Sequence, residues 1–318
     1  MRQFSRNSRT IKRRNVKEKA DLHAAEVEEL NSRISLIKEK KITESNKCDL
    51  VSSLPILNST KKSLMSCNIF KIAGFQRKSL IFSLCGWNLM VITPEGMCVM
   101  LSYIIVIVEI LKKANTTKFS GISTIIVSPS ENLGLKVLEI IQKLLKNTNI
   151  TSCLVSSRFG NEYLEKIIPN TYIVIGTMFK IMNLSENVST FHMNDCKIIV
   201  FDNIENDIHR DHMKNFKRIV IEIPDDTQKL YFATTISKQY ERIVQIIFTD
   251  YKRLEIHESE VNIENDANNF EQNDSLLDYS YNEEESCFIE IIEDDTDIDY
   301  ETEWNILIPR FRYPMRNI

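Results

Sequence analysis

Glycine and proline are scarce in this chain: there are seven of each in 318 residues, where average usage would put glycine near ~7% and proline near ~5%. Loops that need a positive φ are therefore few. The seven cysteines, at positions 48, 67, 85, 98, 153, 196 and 287, have no CxxC spacing. Neither a zinc site nor a disulfide framework is expected, and the thiols fit a reducing compartment. No apolar stretch follows the basic, polar N-terminus, so no signal peptide is expected. The most apolar helical segment, Val99 to Leu111, is too short to cross a membrane and contains Ser102, Tyr103 and Glu109. These absences point to a soluble intracellular protein with no membrane partner. One region also lacks positive charge altogether: Glu255 to Glu303 holds 19 Asp/Glu and no Lys/Arg, whereas Met1 to Lys41 holds 12 Lys/Arg against 6 Asp/Glu.

What is present is enough apolar material for a core, 43% of residues, arranged in four regions. Residues 1–47 form a basic tail followed by a helix in which Ala20, Leu22, Ala25, Val27, Leu30, Ile34 and Ile37 recur at an approximate spacing of three to four. Residues 48–256 alternate strand-like with helix-like runs. The strands are expected at Asn88–Thr93, Ile122–Ser128, Ile150–Val155, Tyr172–Gly176, Lys197–Asp202 and Leu230–Thr234. The helices are expected at Ser102–Lys113, Ser130–Leu145, Glu162–Ile168, Phe179–Leu184 and Ser237–Phe248. Such alternation implies one α/β domain with a mostly parallel sheet between helices. Residues 257–303 are acidic and Asn-rich and are expected to be disordered; residues 304–318 recover aromatic and basic side chains. The run Lys197-Ile198-Ile199-Val200-Phe201 ends at Asp202, so a buried strand carries a carboxylate to the sheet edge where ligands bind in open α/β folds. Asp202 is on that ground a candidate metal or phosphate-site residue.

With the elements in order, the loops between them resemble those of the first RecA-like domain of DEAD-box RNA helicases over about residues 68–256. Ser128-Pro129-Ser130-Glu131-Asn132-Leu133-Gly134 is similar to the family's Pro-Thr-Arg-Glu-Leu-Ala segment, and Gly176-Thr177-Met178-Phe179-Lys180 to its Thr-Pro-Gly-Arg. Asp202-Asn203-Ile204-Glu205 falls where Asp-Glu-Ala-Asp belongs, and Ala233-Thr234-Thr235 falls at the Ser-Ala-Thr coupling segment. Gln76 stands at the place of the adenine-reading glutamine. The resemblance implies an α/β fold of the P-loop NTPase type, a single RecA-like parallel sheet with helices on both faces. It also implies ATP and magnesium as cofactors and RNA as partner, with RNA contacts from Ser130, Arg158, Thr177 and Lys180 and with Ser156 and Ser157 nearby.

The same resemblance exposes departures. The family's Gly-Ser-Gly-Lys-Thr aligns with Gly96-Met97-Cys98-Val99-Met100. A phosphate loop needs converging backbone N–H groups, a lysine for the terminal phosphates and a hydroxyl for magnesium; Val99 and Met100 supply neither group. Asn203 replaces the glutamate that polarises water, and an amide cannot take that proton. No second RecA-like domain is recognisable after residue 256. The expectation is an RNA-associated, hydrolysis-defective binding module that needs no cofactor, with an active ATP-dependent helicase and a protein-interaction scaffold as alternatives. The eroded motifs resemble the Tudor-domain-containing germline helicases that act with piRNA guides in silencing, which implies a cytoplasmic ribonucleoprotein setting. Finally, Ile289-Glu290-Ile291-Ile292-Glu293-Asp294-Asp295 resembles a SUMO-interaction motif, an extended strand able to join a partner's sheet edge.

Overall fold

The structure, a computed structural model, describes residues 20–32, 34, 49–94, 99–114, 121–206, 212–248, 251–256 and 289–292. Helix α1 covers residues 20–32. It rests on the domain through buried Leu30, with Ile34 buried just beyond it, and the Glu26 carboxylate accepts the Asn58 N–H at 2.8 Å. Of the apolar residues in this segment, Leu30 and Ile34 are buried against the domain, whereas Leu22 and Ala25 are exposed.

Strands β1 (Asp49–Leu50) and β2 (Lys71–Ile72) pair antiparallel and flank α2 (Asn58–Ser66). The main sheet follows: α3 (Gly74–Leu84), β3 (Asn88–Ile92), α4 (Met100–Lys113), β4 (Thr124–Val127), α5 (Glu131–Leu144), β5 (Ser152–Val155), α6 (Asn161–Ile167), β6 (Ile173–Gly176), α7 (Met178–Asn187), β7 (Ile198–Asp202), α8 (His212–Glu222), β8 (Gln228–Ala233), α9 (Lys238–Ile247), β9 (Tyr251–Ile256) and β10 (Ile289–Ile292). Its order is β10-β9-β3-β8-β7-β4-β6-β5. All pairings from β9 to β5 are parallel; β10 alone runs antiparallel, on β9.

The inner strands β3, β4, β6, β7 and β8 are buried on both sides along nearly all their length, which is why they read as largely apolar runs rather than alternating ones. Alternate residues nonetheless go to different cores. Leu89, Val91, Val200, Leu230 and Phe232 join a cluster with α3, α4 and α5; Met90, Ile92, Ile199, Phe201 and Tyr231 join one with α7, α8 and α9. The sheet is therefore a single layer between two helical layers, the RecA-like α/β arrangement expected from the chain. Helix α4 is buried on almost every face, from Met100 through Glu109, so its sequence is apolar all round. Gly134, in α5, packs closely on the sheet: a Cβ there would meet Leu154 Cδ1 at 2.8 Å, so the Leu154 side chain would have to shift to admit one.

Strands β1, β2 and β9 and helices α2, α3 and α8 lay outside the sequence reading. Helices α2 and α8 are amphipathic pieces of polar average composition, and β9 is an edge-side strand alternating charge with aliphatics. The acidic region beyond residue 256, expected to be without structure, contributes β10, whose residues pair Ile289 with Ile256 through Ile292 with Arg253.

Candidate nucleotide and nucleic-acid site

Parallel strands point their C-terminal ends to one edge, and here that edge gathers the loops singled out in the sequence. β7 ends in Asp202-Asn203, β8 in Ala233-Thr234-Thr235, β4 in Ser128-Pro129-Ser130, β6 in Gly176-Thr177 and β5 in Val155-Ser156.

Asp202 is 1% exposed. The Tyr103 hydroxyl, from the first turn of α4, donates to its Oδ2 at 2.7 Å, and Asn203 Nδ2 donates to its Oδ1 at 3.1 Å. Burial outweighs these two neutral donors and pushes the carboxyl up to about 6. Asn203 has φ 45°, the left-handed region that asparagine tolerates better than most residues. Its N–H donates to the Phe232 carbonyl at 2.8 Å, and its Oδ1 accepts the Thr234 N–H at 2.9 Å. The side chain at the second-motif position thus ties the ends of β7 and β8 together. Glu205 accepts from the Tyr231 hydroxyl at 2.7 Å and from the Ser237 N–H at 2.9 Å, and its partial burial raises its carboxyl above the ordinary range. Ala233 is buried, whereas Thr234 is half-buried and Thr235 exposed.

At the start of α4, Val99 and Met100 are both buried in the core on the α3–α5 face of the sheet, 6% and 7% exposed. Val99 occupies the helix N-cap without any side-chain cap. Gly96, Met97 and Cys98 lie outside the described residues. Gln76 is buried, and its Oε1 accepts the Ala73 N–H at 2.8 Å, closing the N-terminus of α3. Ser130 caps α5 by accepting the Leu133 N–H at 3.2 Å, and Thr177 caps α7 by accepting the Lys180 N–H at 3.4 Å. Arg158 is exposed in the turn after β5, its N–H donating to Ser156 Oγ at 3.1 Å, and the Ser157 N–H donates to Glu131 Oε1 at 2.8 Å. Lys180 is half-buried. Because β5 and β6 are neighbours in register, Val155 opposite Gly176, Arg158 and Lys180 leave adjacent strands at the same edge.

A family model described as "DEAD/DEAH box helicase" matches residues 76–243. The chain belongs to this family. Among similar proteins is the "ATP-dependent RNA helicase DBP4" of Candida glabrata, 26% identical over 246 residues, which are 77% of this chain and 31% of that protein. Another is "DEAD-box ATP-dependent RNA helicase 32" of Oryza sativa subsp. japonica, 23% identical over 217 residues, 68% of this chain and 28% of that one. The chain thus spans about a third of the length of such relatives. Of solved structures, a DEAD box protein from the hyperthermophile Methanococcus jannaschii matches with a TM-score of 0.61 at 18% identity, covering 67% of this chain and 57% of that one. This supports the RecA-like fold. Within the family frame, the partners of the second-motif residues are what the sequence reading missed. Tyr103 is the one aromatic among the aliphatics of α4, and a buried tyrosine hydroxyl needs an acceptor; that was the available signal, but not the 99-residue jump to Asp202. Among the described residues no helix is long and apolar enough to cross a membrane, and no group of three His, Cys, Asp or Glu could hold a metal.

Proposed function

We propose that this DEAD-box domain is an RNA-associated binding module that works without nucleotide. The network Tyr103–Asp202–Asn203–Thr234 carries this reading. In it the acid at the magnesium position is walled in, and each of its oxygens already accepts a hydrogen bond from a neutral side chain. Magnesium and ATP do not fit these residues. Val99 and Met100 turn their side chains into the core where a phosphate-binding lysine and a metal-binding hydroxyl would be required. When bound in such folds the cofactor supplies the free energy for conformational cycling; here Asp202 and Asn203 instead brace the β7 and β8 ends.

RNA contact falls to the outer part of the edge, where Arg158 and Lys180 offer charge and the Ser130 and Thr177 caps hold the helix starts. The narrower setting, a cytoplasmic germline or silencing ribonucleoprotein with protein partners, is supported by the resemblance of Asp202-Asn203-Ile204-Glu205 and the eroded phosphate loop to the piRNA-pathway helicases. An active ATP-dependent helicase is the second reading, favoured by the names of the relatives. Titration calorimetry and a hydrolysis assay with and without RNA separate the two. The module gives no heat with magnesium–ATP and no phosphate release. Micromolar ATP affinity in the unmodified chain would overturn it.

The tail strand has two competing occupants. Its backbone pairs with β9, and a SUMO-type partner engaging Ile289, Ile291 and Ile292 would have to use the other edge of β10 or displace it. A peptide spanning residues 285–300 that leaves labelled SUMO's edge-strand amides unmoved at millimolar concentration removes SUMO from the partners.

A further inference from the structure

We propose that Phe159, Tyr163 and Phe179 form a stacking platform for unpaired RNA bases, so that the module holds single-stranded RNA by its rings as well as by its phosphates. This rests on the RNA-binding reading above and adds to it a subsite that touches bases. Phe159, Tyr163 and Phe179 are 42%, 49% and 50% exposed. Large aromatic surfaces left in water mark a contact site more often when grouped than when scattered singly, and Phe159 and Tyr163 are in ring contact. All three follow the neighbouring strands β5 and β6 at their common C-terminal edge.

The site is built in advance of any ligand. The Phe159 and Tyr163 rings stack with centroids 5.0 Å apart and 23° between their planes. The turn that carries Phe159 is pinned three times: Arg158 N–H to Ser156 Oγ, Phe159 N–H to the Ser156 carbonyl at 3.3 Å, and Ser157 N–H to Glu131 on α5. A ring pair fixed this way offers a π-face to a base with little ordering cost. Charge alone does not make this patch a strong polyanion site. Over residues 156–163 Arg158 is balanced by Glu162, and Lys180 stands beside Phe179. Two cations can track a phosphate backbone while the rings hold bases, the combination used by proteins that bind single strands without reading sequence.

The test uses the full 318-residue chain and two labelled 12-nucleotide probes, an oligouridylate and an abasic oligoribonucleotide of equal charge, with affinity followed by fluorescence anisotropy across a salt series. The intact chain binds the base-bearing probe about tenfold tighter or more, since each stacked base contributes on that order. Phe159→Ala with Tyr163→Ala removes this preference and leaves the salt slope unchanged, whereas Arg158→Ala with Lys180→Ala lowers the slope and keeps the preference. Phe159→Trp retains it, which separates ring chemistry from any disturbance of the fold. Equal affinity of the intact chain for both probes overturns the platform and leaves a phosphate-binding module. Absence of binding to either probe at low salt overturns the platform and the RNA reading together.

Discussion

Asp202 is the residue on which the two functional readings diverge, and its titration distinguishes a strut from a metal ligand. Its carboxyl is raised by burial to about 6, above its ordinary value of 3.8. The folded state therefore holds a proton that the unfolded chain has already released, and stability falls as pH rises from about 4 to about 6 and is level beyond. The slope from one such group is about 1.4 kcal/mol per pH unit. Tyr103 works against this, because its hydroxyl favours the ionised form. Tyr103→Phe thus moves the titration further up and extends the falling limb towards neutral pH. We expect urea unfolding midpoints of the unmodified chain to decline through pH 4–6 relative to Asp202→Asn, which cannot titrate, with the decline reaching higher pH in Tyr103→Phe. A difference between the unmodified chain and Asp202→Asn that is flat with pH would show that Asp202 is not desolvated. The position of Asp202 at a strand end was legible in the sequence because an apolar run closes on it. Its environment was not, since it comes from a helix 99 residues upstream and from an asparagine whose left-handed φ no local pattern announces.

At the level of elements, the legible parts were those whose burial is uniform. β3, β4, β6 and β7 lie inside the sheet, so each is a short apolar run, and α5 presents one apolar stripe with Ser130 as its cap. α8 was not legible, because only Phe216, Ile219 and a few neighbours face the core while lysines and an arginine cover the rest. β10 was legible as an extended segment but not as a partner of β9, since pairing between residues more than thirty apart leaves no local trace. Glu109 illustrates the same limit within a helix. It interrupts the apolar α4, is fully buried, and accepts the Leu57 N–H at 2.9 Å and the Thr60 hydroxyl at 2.8 Å, with Lys113 Nζ 3.4 Å away. It fastens the N-terminus of α2 to the central helix. Desolvation raises its pKa against these partners, so the charge itself adds little. Glu109→Gln, which can still accept from Leu57 and donate to Thr60, should change stability by less than about 1 kcal/mol. Glu109→Ala strands the Leu57 N–H and the Thr60 hydroxyl in the core and should cost about 2–4 kcal/mol. Guanidinium unfolding of both variants provides the check, and equal losses would refute the hydrogen-bonding role.

Across the whole molecule the charges are segregated, which a net charge of −4 conceals. Residues 42–254, which contain the sheet and its helices, carry 25 Lys/Arg against 19 Asp/Glu, while residues 255–303 carry acids alone. β10 anchors this acidic segment to β9, at the opposite end of the sheet order from β5 and β6, whose loops bear Arg158 and Lys180. The segment is thus tethered to the domain, so its local concentration does not fall on dilution. A tethered polyanion repels RNA and competes for the same cations, and both effects are long-range and screened, with a Debye length of about 10 Å at 0.1 M salt. Changing the ten Asp and Glu between Glu258 and Glu285 to Asn and Gln removes the charge while preserving chain length and β10. The expected outcome is tighter RNA binding at 50 mM salt and a steeper salt dependence, with the two proteins converging by about 0.5 M. Were the neutralised chain to bind RNA no better than the original at low salt, the acidic segment would have no electrostatic hold on the RNA face, and the affinity of the module would be set by the edge of the sheet alone.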